Sequence, residues 1–245
     1  GRIEKMDKLD RPVLEPKRMD LQINGWRGSQ KVLEIKGLAK SFAANKHSPL
    51  FADLDLLIRH GERVGLVGPN GAGKTTLLKI VLGEIEPDGG EVIVGPSVSI
   101  GYYAQQHETL DRSQTLIDVI RHAKLCSEGE AVAFLLKFLF TYEQTRQHVG
   151  DLSGGERSRL QLALLMLSGA NFLVLDEPTN NLDIASAEVL EEVLDSFEGT
   201  VLCVSHDRYF LDRITRRTVE LAAGQLVDYP GGYSDYAETK ARRPR

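Results

Sequence analysis

Eight residues, Gly68-Pro69-Asn70-Gly71-Ala72-Gly73-Lys74-Thr75, constrain this chain more than any other stretch. They complete the pattern G-x-x-x-x-G-K-[ST], a loop whose backbone wraps phosphate groups. The flanks fit that role. Arg63-Val64-Gly65-Leu66-Val67 predicts a short buried strand, and Thr76–Leu82 predicts a helix that Gly83 ends. The glycines let backbone N–H groups approach a phosphate closely, and the helix N-terminus adds partial positive charge. Lys74 can reach β- and γ-phosphates, the Thr75 hydroxyl can ligate Mg²⁺, and Thr76 extends the phosphate contact into the helix. A glycine turn beside a chance lysine is the competing reading. It leaves the strand and helix on either side unexplained.

Composition narrows the setting. A chain of 245 residues, 42% hydrophobic, can bury a substantial core. No apolar run approaches the roughly 20 residues of a spanning helix, so no membrane partner is expected. Cys126 and Cys203 are too few for a disulfide framework, and no secretory leader is visible, which points to the cytoplasm. The net charge of −5 argues against a surface that coats nucleic acid. The balance is uneven, however: residues 1–31 carry eight Lys/Arg against five Asp/Glu. That segment reads equally as a local contact to a phosphate backbone or as a solvated linker.

Along the chain, Ile3, Met6 and Leu9 share a helical face that Pro12 and Pro16 end, and an extended stretch follows. Residues 1–30 are therefore expected to be linker, 31–237 the folded domain and 238–245 a tail. Strands are expected at Val32–Lys36, Leu54–Ile58, Glu91–Val94 and Val98–Tyr103. Thr115–Lys124 and Glu130–Phe140 predict helices, and with Ser158–Leu167 they define a helical subdomain at about 107–160. Buried strands then alternate with helices: Phe172–Asp176, the helix Glu188–Phe197 and Thr200–Ser205. Arg217–Leu221 and Gln225–Tyr229 predict a terminal hairpin. The alternation implies an α/β fold with a mostly parallel sheet.

Leu152-Ser153-Gly154-Gly155-Glu156 is a second signal. Ser153, Gly154 and Gly155 before a charged helix offer N–H groups and a hydroxyl to an anion, although Ser153 also suits an ordinary N-cap. Phe172-Leu173-Val174-Leu175-Asp176-Glu177 follows, and it delivers two carboxylates to the C-terminal edge of a strand, where α/β ligands bind. Asp176 suits Mg²⁺ through water, and Glu177 is placed to polarise an attacking water.

Together these residues resemble the ABC ATPase family, from about Lys31 to Tyr236. Gly68–Thr75 matches Walker A, Leu152–Glu156 the ABC signature, Phe172–Asp176 Walker B and Asn181-Leu182-Asp183 the D-loop. The resemblance implies ATP and Mg²⁺ as cofactors and ATP hydrolysis as the activity. It also implies an ABC-type P-loop NTPase core with an antiparallel β subdomain and a helical signature subdomain. Gln105 corresponds to the Q-loop glutamine that senses metal and water, His206 to the switch histidine on the γ-phosphate, and Phe42 to the aromatic that stacks on adenine. Catalysis would then rest on Glu177, His206, Gln105 and Lys74, and metal binding on Thr75, Gln105 and Asp176.

Asp176-Glu177-Pro178-Thr179-Asn180-Asn181-Leu182-Asp183 resembles the ABC-F branch, with Asn181 where His is usual. Ser205-His206-Asp207-Arg208-Tyr209-Phe210-Leu211-Asp212 and Tyr229-Pro230-Gly231-Gly232-Tyr233-Ser234-Asp235-Tyr236 resemble it too. That branch implies a C-terminal ATPase module whose partner is a second ABC domain, in the same full-length chain or through homodimerisation of this fragment. It further implies ribosome and tRNA contact, regulation of translation and slow hydrolysis by the isolated domain. The alternatives are the ATPase subunit of a membrane transporter, and a binding module in which slow hydrolysis times release.

Overall fold

The computed structural model describes residues 30–42, 49–104, 110–180 and 182–242. Two sheets organise it. A small antiparallel sheet has the order β2-β1-β4, from β1 (Lys31–Lys40), β2 (Phe51–Arg59) and β4 (Gly89–Val94). The larger sheet has the order β5-β6-β7-β3-β8-β9, with β3 (Arg63–Val67), β5 (Ile100–Ala104), β6 (Phe172–Asp176), β7 (Thr200–Val204), β8 (Arg217–Ala222) and β9 (Gln225–Pro230). Its first five strands run parallel and β9 returns antiparallel to β8.

The unbroken apolar runs of β3, β6 and β7 follow from burial on both faces of the larger sheet. Phe172 and Val174 of β6 and Leu202 and Val204 of β7 join one core, shared with the small sheet and α1 (Lys74–Val81). Leu173, Leu175, Val201 and Cys203 point the other way. They meet α2 (Leu116–Ala123), α3 (Glu128–Lys137), α4 (Gly154–Leu167), α5 (Ile184–Ser196) and α6 (Arg208–Ile214). The period-two alternation of each strand therefore separates the two cores.

Capping chemistry explains where several helices begin. Thr115 caps α2, while Ser127 with Glu130 and Ser153 with Glu156 form reciprocal capping boxes. α3 thus starts earlier than the apolar pattern suggests, and it ends at Lys137, where buried Phe138 and Phe140 turn back into the core around Leu139 at φ 59°. α4 starts at the signature itself and runs beyond the expected subdomain limit to Leu167. The expected tail begins inside a helix. Residues 238–242 are the last turns of α7 (Tyr233–Arg242), in which Tyr233 and Tyr236 pack against the core and the exposed Lys240 on the same face pairs with Glu220. Among the described residues no helix is long and apolar enough to cross a membrane. Residues 1–29, on which the linker expectation falls, lie outside the described residues.

Candidate active site

Parallel pairing brings three strand ends to one edge. Val204 stands in register with both Leu66 and Asp176, so the segments that follow β3, β6 and β7 emerge side by side. These segments are the glycine loop, the acidic pair and Ser205-His206.

The loop has little steric freedom. Gly68 has φ 149°, and a Cβ there would stand 2.1 Å from the Leu221 carbonyl oxygen. Gly73 has φ 101°, and its Cβ would meet Leu50 at 2.8 Å. Gly73 provides no side-chain cap for α1, so the first-turn N–H groups of that helix have neither a capping side chain nor an intrahelical acceptor. That suits an anion. Substituting Gly68 by Ala is expected to cost about 2 kcal/mol or more, from the collision with rigid backbone and the unfavourable φ. Urea unfolding should show it as a lower midpoint, and an unchanged midpoint would mean that the strand end relaxes freely.

Lys74 is 8% exposed and donates to the carbonyls of Gly68 at 2.9 Å and Pro69 at 3.1 Å. Burial pulls its pKa down, and the nearby Glu177 and Asp176 pull it back up. Burial raises the pKa of Asp176, opposed by a hydrogen bond with Thr75 and by the charges of Lys74 and Lys79. Glu177 adopts φ 49°, uncommon for a residue with a side chain. Its N–H donates to Val204 O at 2.8 Å. Its carboxylate accepts the His206 backbone N–H at 3.1 Å and lies 3.3 Å from His206 Nε2. Burial raises its pKa, against the pull of His206. Ser205 Oγ accepts from the Asp207 N–H at 3.0 Å and lies 3.4 Å from Thr179 Oγ1, which steadies the turn that bears His206.

Lys74, Glu177 and His206 border a cleft of about 540 Å³. Phe42, 47% exposed, stands in its wall, and the Nζ of Lys40 lies 5.7 Å from its ring centroid. Asn70, Gly71, Gly73, Lys74, Thr75 and Thr76 line it with Glu177 and His206. Leu50 and Asn180 line it as well; Asn180 could have been suspected from its place in the acidic motif, whereas nothing local marks Leu50. Gly68 and Pro69 face an adjoining cavity, and Ala72 packs against the core. Gln105 and Asn181 lie outside the described residues.

The signature residues are not in the cleft. Ser153 and Gly154 are exposed at the start of α4, where the Ser153 hydroxyl accepts from the Glu156 N–H at 3.3 Å. Gly155 lies against Asp183, whose carboxylate caps α5, and a Cβ on Gly155 would stand 2.7 Å from Asp183 Oδ2.

The residues present fit a magnesium nucleotide. The uncapped start of α1 and Lys74 border the cleft, where they could receive phosphate oxygens. Thr75 and Asp176 supply two hard oxygen donors, and among the described residues no three acidic, His or Cys side chains gather into a metal cage. Mg²⁺ is commonly held in this way, by one or two protein oxygens together with phosphate oxygens.

Comparison with known proteins agrees with this geometry. The family model described as "ABC transporter" matches residues 51–180. The ATP-binding protein Uup of Escherichia coli (strain K12) is 37% identical over 239 residues, covering 95% of this chain and 34% of that protein. ABC transporter F family member 5 of Arabidopsis thaliana is 37% identical over 242 residues, covering 97% and 34%. The chain thus spans about a third of the length of these relatives. A solved ATP-binding cassette, dimeric in a post-hydrolysis state with ADP and Pi, superposes with a TM-score of 0.65 at 22% identity, covering 81% of this chain and 98% of that one. The ATP-binding subunit of an ABC transporter superposes with a TM-score of 0.69 at 22% identity, covering 87% and 95%. At these identities the structural likeness establishes the fold.

Proposed function

Because the chain belongs to the ABC ATPase family, we propose that it is the ATP-hydrolysing domain of an ABC-F protein, with half of each catalytic site supplied by a second ABC domain. One observation carries the reading. The phosphate loop, Glu177 and His206 converge on one cleft, with Asp176 hydrogen-bonded to Thr75 at its base, while Ser153 and Gly154 present the start of α4 to solvent elsewhere. A signature that cannot serve its own cleft is suited to serve another. The dimeric cassette among the solved relatives supports that arrangement.

In this reading the adenine stacks on Phe42, and the loop N–H groups with Lys74 hold the phosphates. Thr75 and Asp176 hold Mg²⁺, which when bound offsets the charge of the transferring phosphoryl group. Gln105 helps to hold the metal and place the attacking water. Glu177 takes the proton of that water, in line with the γ-phosphate, and His206 steadies the γ-phosphate from the neighbouring strand end. Ser153 and Gly155 act on the nucleotide of the partner domain.

Specific activity is therefore expected to fall on dilution, since active sites form only in pairs. ATPase assays of the chain across a hundredfold range of concentration test this point. Fast turnover per molecule at every concentration would remove the composite site.

The ABC-F assignment follows from the motif resemblance and gains support from the relative named as an F family member, while the cytoplasmic location and ribosome-linked role rest on the resemblance alone. The test is co-sedimentation of the full-length protein with ribosomes under ATP. Co-purification with a membrane partner instead would select the transporter-subunit reading.

A further inference from the structure

Beside the cleft lies a second cavity to which the motif residues Tyr233 and Tyr236 contribute, together with Glu220 and Lys240, which no motif includes. Tyr236 and Lys240 of α7 face this cavity, of about 450 Å³, which Lys74, His206 and Gly68 line from the other side. Glu220 of β8 sits there, 5% exposed. Its carboxylate accepts from the hydroxyls of Tyr236 at 2.9 Å and Tyr229 at 3.4 Å, and it pairs with Lys240. Lys240 also donates to the Tyr236 hydroxyl at 3.1 Å. Burial alone would push the Glu220 carboxyl up, but the hydrogen bonds from Lys240 and Tyr236 hold it below its ordinary range, so the group is an anion within its cluster.

This cluster is mechanically connected to both phosphate-facing segments. Glu220 stands in register with Val67, the residue before the glycine loop. The carbonyl of the next residue, Leu221, is the group against which Gly68 is pressed. At its other end α7 is tied to α6: the Ser234 N–H donates to Asp212 at 2.7 Å, and the Arg208 guanidinium lies 5.7 Å from the Tyr233 ring centroid. α6 begins two residues after His206. One helix therefore spans from the floor of the phosphate loop to the segment that carries His206.

We infer that Glu220, Tyr236 and Lys240 form a positioning lock, which fixes the spacing between the phosphate loop and His206 and so sets how strongly a triphosphate is preferred over a diphosphate. The inference rests on the nucleotide site proposed above. None of the three acts on the nucleotide directly; they act through α7 and β8. A buried, hydrogen-bonded charge suits the task. It gains little stability over apolar packing, but it holds one arrangement and tolerates the loss of no partner.

The test measures Mg-ATP and Mg-ADP affinities by calorimetry for the chain and for Glu220→Gln, Tyr236→Phe and Lys240→Arg. It is run at a temperature at which circular dichroism shows each variant folded. Glu220→Gln and Tyr236→Phe should weaken Mg-ATP about tenfold and Mg-ADP less than about threefold, with Lys240→Arg close to the parent. If Glu220→Gln does not fold, Tyr236→Phe decides, because it keeps the ring that packs edge-on against Tyr229 at 5.0 Å. Equal losses for both nucleotides, or none for either, overturn the lock and leave a structural cluster. A parent chain that binds neither nucleotide overturns the underlying site instead.

Discussion

Replacing Glu177 by Gln is expected to leave Mg-ATP bound and to lower turnover by about 10²–10⁴, the range for loss of a general base. The geometry makes this a clean substitution. The backbone of Glu177 is held at φ 49° by its N–H bond to Val204 O, so the side chain projects from the strand end in a set direction. A glutamine in that place keeps the volume, and its amide oxygen keeps an acceptor for the His206 N–H. The lost property is basicity. Binding should hold or tighten, since Lys74 and the loop are untouched and one negative charge leaves the neighbourhood of the phosphates. Single-turnover hydrolysis set beside a calorimetric Kd measures both halves. Unchanged turnover would take Glu177 out of its role. A large loss of affinity would mean that the carboxylate supports the loop rather than the water.

How much of this could be read in advance varied with the range of the physics involved. The glycine loop was legible because its demands are local. Positive φ and close backbone approach at Gly68 and Gly73 exclude most other residues, so the pattern itself reports the geometry. The strands β6 and β7 are legible because burial on both faces makes Phe172–Leu175 and Val201–Val204 continuous apolar runs, with polar residues only at a strand end. Helix starts were less so. Apolar periodicity placed the start of α3 at Glu130 and that of α4 at Ser158, whereas the capping boxes begin them at Glu128 and Gly154. Caps are read from side-chain chemistry rather than from hydrophobic spacing. α6 and α7 are hard to read because a seven-residue helix, and a helix with one buried residue, present almost no periodic face. The Glu220 cluster was invisible for a different reason. Its members are spread from β8 to the last turn of α7, and only the fold shows that a tyrosine hydroxyl and a lysine converge on that carboxylate.

Lys74→Met should weaken Mg-ATP binding by roughly 10²–10⁴. The ammonium is the one cationic side chain of the loop, and the residue is 8% exposed, so water would compete poorly with a phosphate for it. A charge-assisted hydrogen bond contributes about 1.5–3 kcal/mol, and the lysine reaches two phosphates, so about 3–6 kcal/mol is at stake. Each 1.4 kcal/mol is about tenfold in Kd. Methionine keeps most of the aliphatic stem. The fold should therefore survive the change: the two carbonyls that Lys74 engages belong to Gly68 and Pro69, at the half-exposed rim of the loop rather than in the core. Thermal unfolding and calorimetry on the same sample separate the two effects. A Kd within about threefold of the parent, with folding intact, would mean that the loop N–H groups and the metal alone hold the phosphates, and that Lys74 acts in the transferring state only. In that case the loss would move from affinity to turnover, where single-turnover measurements would find it.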